Sequence, residues 1–390
     1  MVNAATRINQ ITPDDLLQSA HRIAATLKER TAQIDSERSI APETIEAIKD
    51  AGLFRLLQPK RWGGFETTPQ AFIDVENIFA EQCLSTAWVF GVLSVQSFML
   101  SLFNERAQED VWGSDETALA SSSFQPIGKA ERVEGGFKLS GQWPYSSGSQ
   151  YAQWAVVGAL VPPLNAGEPP EMRLFLVPRI DYEIVDTWNT FGLRGTGSND
   201  IRIEHAIVPE YRTLKPEQGF VPGSKLSVHN AALYRMPWLY VFTCSVASLG
   251  IGGARGALRE FLDITRARLA TPSGKARVDT SALQIAARAK GEIEEIDQTF
   301  RRNVARLMEC AASGEAMTLA EALQHRVHLT SIIRRCAGLV DNLLPHLGAR
   351  SVFLDSAFTR FWLDLNAARV HPGNDPATTS GDLGKLLIES

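Results

Sequence analysis

The chain has 390 residues, 44% hydrophobic and 21% charged, with a formal net charge of −5. That length and composition suit two or three packed domains and exclude a disordered chain, a collagen-like repeat and a disulfide scaffold. No stretch concentrates Lys and Arg, so no nucleic-acid partner is expected. Cys83, Cys244, Cys310 and Cys336 show no CxxC spacing, so reduced thiols and a cytoplasmic location are the expectation.

The first region reads as helices. Thr12-Pro13-Asp14-Asp15 supplies a cap, a proline at the first helical position and acids at the positive dipole end. Leu16, Ala20, Ile23, Ala24 and Leu27 then recur at three- and four-residue steps. A second helix is predicted from Pro42 to Gly52, and a third follows Gly63-Gly64 with Phe72, Val75, Ile78 and Phe79 facing inward. The run from Gln82 to Asn104 has no charge and reaches the length of a membrane span. Ser85, Thr86, Ser94, Gln96, Ser97 and Ser101 interrupt it, so it is read as a buried helix from about Ser85 to Phe103, and no membrane is expected.

Further along, the period changes to that of strands. Val133 to Leu139 reads as two strands around Gly135-Gly136, and Ala155–Val161, Arg173–Val177, Tyr182–Val185 and Ile201–Ile207 are further β-rich runs. From about residue 238 the helical period returns, and Ser245 to Ala270 reads as a long helix with Gly250, Gly252, Gly253, Ala254 and Gly256, small residues that permit close helix approach. Ser281–Ala312, Thr318–Leu347 and Ala357–His371 complete four helices. The fold class is thus α+β, mainly α: an N-terminal helical domain (1–118), a central β-barrel or sandwich (119–225) and a C-terminal four-helix bundle (226–390).

Motifs narrow this architecture. Trp62-Gly63-Gly64, Ser85-Thr86-Ala87-Trp88, Ser121-Ser122-Ser123, Trp143-Pro144-Tyr145-Ser146-Ser147-Gly148, Gly192-Leu193-Arg194-Gly195-Thr196-Gly197-Ser198 and His371-Pro372-Gly373-Asn374-Asp375 occur in that order. With them the chain resembles the acyl-CoA dehydrogenase superfamily. Within it the resemblance is to the oxygenase components of two-component flavin-dependent monooxygenases, a group that includes p-hydroxyphenylacetate hydroxylase and the steroid-ring phenol hydroxylases.

The resemblance implies that reduced FMN or FAD reacts with O2 to form a C4a-hydroperoxide in a dry pocket, beside a small aromatic substrate. It implies catalytic roles for His371, Ser147 and Ser122. His371 would lie beside the flavin ring, Ser147 at its N5 edge, and Ser122 near the substrate. Trp88 is expected at the substrate, and Trp143 and Ser146 at the cofactor. Arg266 and Arg268 match the superfamily's flavin-phosphate position, where a guanidinium fork suits phosphate. Gly348 to Ser351 resembles a loop lent to the flavin by a neighbouring subunit, and a homotetramer is expected on that account and from the small-residue stripe. No glycine fingerprint for a dinucleotide is present, so a separate NAD(P)H-dependent flavin reductase is the expected partner. No metal is expected: His325 and His328 stand three apart, but no third ligand accompanies them.

There is one departure. Where phenol hydroxylases of this group carry a substrate-binding histidine on the uncharged helix, this chain has Gln96. An amide both donates and accepts but is a poor base, which brings an indole-type ring into consideration beside a phenol. Two alternatives remain. An acyl-CoA dehydrogenase needs a carboxylate base; none stands between Arg369 and Asn374, leaving Glu260 or Asp263 as substitutes. A catalytically silent flavin-binding protein is the other.

Overall fold

The computed structural model describes residues 12–163, 165, 167–216, 227–270 and 280–389. Helix α1 (Pro13–Glu37) opens as predicted. The Thr12 hydroxyl accepts the Asp15 N–H, and the Asp15 carboxylate accepts the Thr12 N–H, so two otherwise orphaned donors are satisfied reciprocally. Helix α2 (Pro42–Asp50) ends before Gly52 at φ 73°, and α3 (Pro69–Ala80) is capped by Thr68. In α4 (Leu84–Leu100) every residue is buried, which accounts for the uncharged run without a membrane. A short charged helix, α5 (Glu105–Trp112), follows and was not predicted; it buries Ala107, Gln108, Val111 and Trp112 at helical spacing, but its 8 residues are shorter than the stretch over which a period is read.

The strands are β1 (Ala120–Val133), β2 (Gly136–Ser146), β3 (Trp154–Val161), β4 (Glu171–Pro178), β5 (Glu183–Val185), β6 (Asn199–Pro209) and β7 (Thr213–Leu214). They form one seven-stranded sheet in the order β5-β6-β2-β1-β3-β4-β7. The β1–β3 pair is parallel and the other pairs are antiparallel. Where the sequence left barrel and sandwich open, a single hydrogen-bonded sheet gathers its own core from Phe137, Leu139, Trp143, Phe175, Ile201 and Ile203. Ser121 to Ser123 lie on β1.

The C-terminal helices are α6 (Trp238–Leu269), α7 (Thr280–Ser313), α8 (Leu319–Leu343), α9 (Ala357–Ala368) and a further α10 (Ala377–Glu389). Helix α6 is long and apolar enough to cross a membrane, yet 89% of its most apolar window is buried inside the chain. Its small residues set that packing. A Cβ on Gly252 would stand 2.7 Å from that of Ala80 on α3, and one on Gly256 would stand 2.4 Å from the Phe361 ring on α9. Gly250 and Gly253 lie likewise against Ile333 and Leu84. The stripe therefore serves contacts within one chain and gives no support to a tetramer.

Candidate active site

Strand alternation sorts the three serines of β1. Ser121 accepts from the Ser146 hydroxyl at 3.1 Å and Ser123 donates to the Pro144 carbonyl at 2.7 Å, both across the sheet. Ser122 points the other way, to α4, where Gln96 Nε2 donates to its Oγ at 2.9 Å. Gln96 is fully buried, and its Oε1 has no partner. Two residues on from Ser122, the ring of Phe124 meets Trp238 and Phe242 edge-on at 5.1 and 5.6 Å. These aromatics carry the wall from β1 to the start of α6.

The turn after β2 brings in the next group. Gly148, at φ 67°, seats this turn on α4, where an added Cβ would stand 3.0 Å from Val89 and 3.1 Å from Leu93. Ser147 is thereby held against α4, and Trp88 Nε1 donates to its Oγ at 3.0 Å. Behind it runs a line of hydroxyls: Ser147 to Ser198 at 2.7 Å, Ser198 to Thr196 at 2.6 Å, and Thr196 to the Leu193 carbonyl at 2.8 Å. The Leu193 N–H is held by the Asp364 carboxylate of α9 at 2.6 Å. Burial raises the Asp364 pKa to about 7.

His371 follows α9. Its ring lies edge-on to Trp88 at 5.4 Å and 6.1 Å from Phe242. Its Nδ1 accepts the Gly373 N–H at 3.0 Å, so the neutral ring carries its proton on Nε2. Burial pushes its pKa down to about 4, which keeps it neutral at ordinary pH. Asn374 fixes this turn by donating to the Val246 and Ala368 carbonyls at 2.9 and 3.0 Å. Trp88, Gln96, Ser122, Ser147 and His371, distant in sequence, thus line one region.

A pH dependence follows. Between pH 6.5 and about 4 the unfolded chain protonates this histidine while the folded chain does not. Stability contributed by neutral His371 is therefore present above 6.5 and lost as pH falls. Asp364, raised to about 7, runs in the opposite sense, losing stability as pH rises toward 7. The difference between wild type and His371→Gln isolates the histidine. Wild type should lose stability relative to the variant between pH 7 and pH 5 in urea unfolding; a constant difference would contradict the assignment.

Other predicted residues lie elsewhere. Trp143 is fully buried in the sheet core, its Nε1 donating to the Gly158 carbonyl at 2.7 Å, and Ser146 is turned toward Ser121. These two side chains do not face the site, because Trp143 packs in the sheet core and a register shift between Trp143 and Ser146 brings Ser146 to the same face. Arg266 pairs with Asp263 at 2.8 Å, and Arg268 donates to the His346 and Leu347 carbonyls. Ser351 donates to the Gly348 carbonyl at 2.7 Å beside that end of α6. At about 1.5 Å per residue, the helix separates Phe242 from Arg266 by roughly 36 Å. Within one chain, Arg266, Arg268, Gly348 and Ser351 are thus not brought to Ser147 and His371. The same geometry answers the carboxylate alternative. Glu260 pairs with Lys28 at 2.8 Å and lines a separate shallow cleft with Arg259 and Asp364, while Asp263 faces Arg266. Phe124, Thr196, Ser198, Trp238 and Phe242 had been given no role from the sequence.

Residues 244–376 match the family described as acyl-CoA dehydrogenase, C-terminal domain. Over 92% of this chain and 94% of the relative, the chain is 34% identical to the oxygenase subunit HsaA of a flavin-dependent monooxygenase from Rhodococcus jostii (strain RHA1). It is 30% identical to indole-3-acetate monooxygenase of Pseudomonas putida, covering 88% and 86% of the two chains. The crystal structure of 3-HSA hydroxylase from Rhodococcus sp. RHA1 superposes with a TM-score of 0.90 at 33% identity, over 96% of this chain and 97% of that one.

Proposed function

The chain belongs to the oxygenase components of flavin-dependent monooxygenases on the acyl-CoA dehydrogenase fold, and from that premise we propose that it hydroxylates a neutral aromatic or heteroaromatic ring bearing an N–H or O–H, of the indole or phenol kind. The observation that carries the substrate reading is the Gln96–Ser122 pair. Gln96 Oε1 is a buried acceptor without a donor, while the Ser122 hydroxyl, already accepting from Gln96 Nε2, still has a proton to give. A buried orphan of this kind costs about 1–3 kcal/mol, and a substrate N–H or O–H removes that cost.

Reduced flavin, when bound, supplies the electrons with which one atom of O2 enters the ring. The donor set around Ser147 and His371 fits such a group. Ser147 retains a lone pair for the N5 edge, His371 Nε2–H is a neutral donor, and Trp88, Phe124, Trp238 and Phe242 exclude water. Either FMN or FAD suits this set. A separate NAD(P)H-dependent reductase delivers the reduced flavin. The roughly 36 Å along α6 supports a homotetramer in which Arg266, Arg268 and Gly348 to Ser351 serve the flavin of a neighbouring copy.

The test supplies chemically reduced FMN or FAD and O2 with indole, 1-methylindole and phenol. Hydroxylation of indole and phenol is expected, with 1-methylindole poorer by about tenfold in kcat/KM, the worth of one hydrogen bond. Equal turnover of 1-methylindole would sink the substrate reading.

A further inference from the structure

The line of hydroxyls behind Ser147 has only one consistent set of proton positions. Oxygens 2.8 Å apart need a hydrogen between them, and the Leu193 carbonyl has none, so Thr196 donates to it. Thr196 can then only accept from Ser198 at 2.6 Å, and Ser198, its proton committed, can only accept from Ser147 at 2.7 Å. An indole N–H never accepts, so Ser147 accepts from Trp88 at 3.0 Å. Of the Ser147 hydroxyl's three hydrogen-bonding positions, its proton and one lone pair are used. The remaining position is a lone pair, and whatever meets it must be a donor.

Resting on the flavin reading above, we propose that Thr196 and Ser198 are positioning residues that lock the Ser147 hydroxyl as an acceptor, so that the site selects flavin in the state whose N5 carries a hydrogen. Reduced flavin has an N5–H to give. Oxidised flavin presents a lone pair at N5, which would face the lone pair of Ser147. The discrimination is built by residues that need not touch the flavin. The backbone holds the line in place: Leu193 is at φ 51°, its N–H on Asp364, and the Gly148 N–H donates to the Thr196 carbonyl at 3.0 Å. Thr196 is fully buried and Ser198 nearly so, so water does not substitute for either hydroxyl.

The test is equilibrium binding under anaerobic conditions, with oxidised and with dithionite-reduced FMN and FAD. The readout is the ratio of the oxidised to the reduced Kd, compared among wild type, Ser198→Ala, Thr196→Val and Thr196→Ser. Removing either hydroxyl frees the Ser147 proton to turn toward N5, so the ratio should fall about tenfold in Ser198→Ala and Thr196→Val. Thr196→Ser, which keeps the hydroxyl, should hold the wild-type ratio. Thr196→Val is nearly isosteric and serves if Ser198→Ala fails to fold. Flavin binding with an unchanged ratio in the variants, or a fall in Thr196→Ser equal to that in Thr196→Val, overturns the inference and leaves the function standing. A wild type that binds neither flavin in either redox state overturns the function as well.

Discussion

Replacing Ser147 or His371 by alanine should leave a folded protein whose product formation falls by on the order of 10², while O2 is still consumed and appears as hydrogen peroxide. Removing one preorganised hydrogen-bonding group from a reacting centre typically costs that much. Ser147→Ala takes away the acceptor of the Trp88 indole and the donor to Ser198. His371→Ala removes the ring between Trp88 and Phe242 and frees the Gly373 N–H. Neither change touches the sheet core or the glycine contacts of α6, so melting temperatures should move little beside the catalytic loss. The measurement is product formed per reduced flavin consumed, with peroxide quantified in parallel. Unchanged coupling in both variants would take the two residues out of the mechanism.

Gln96→His should swing the phenol-to-indole ratio of kcat/KM by on the order of 10² toward phenols. A positioned imidazole accepts a phenolic proton as a general base, a contribution worth about 10²–10⁴, and an amide cannot. Gln96 sits where this matters, held by Ser122 and followed at helical spacing by buried Met99 and Leu100. If Gln96 merely braces β1 against α4, the substitution should lower stability through the lost Ser122 bond and leave the ratio where it was. The two kcat/KM values, taken with a melting curve, decide between these roles.

Much of the architecture is legible in the sequence because it rests on local signals. Thr12 and Pro13 announce α1, Gly52 ends the turn after α2, and Gly135-Gly136 makes the β1–β2 hairpin. What the sequence conceals depends on distant packing. Helix α6 begins at Trp238, where the helical period returns, and not at Ser245, because burial of Trp238 against Phe124 and α4 extends it over a bulky, aromatic first turn. In the site, Trp88, Ser147 and His371 were legible as motif residues and do converge. Trp143 and Ser146 belong to the same motif as Ser147, yet the register shift between them turns both side chains into the sheet. Thr196 and Ser198 stood in a quoted glycine-rich motif without a role. Two hydroxyls on alternate residues say nothing until the fold sets Ser147 and Leu193 at their two ends.

The segment from Gly192 to Ser198 is tied to two helices and to the turn after β2. Leu193 holds Asp364 of α9, the Arg194 side chain donates to the Asp35 carbonyl of α1 at 3.0 Å, and the Thr196 carbonyl receives the Gly148 N–H beside α4. An excursion that parts this segment from the helices must break the Asp364 and Arg194 ties together, so it costs more than the fraying of a surface loop. Breaking either tie alone leaves the segment anchored by the other, so the hydroxyl line behind Ser147 shifts only when both give way.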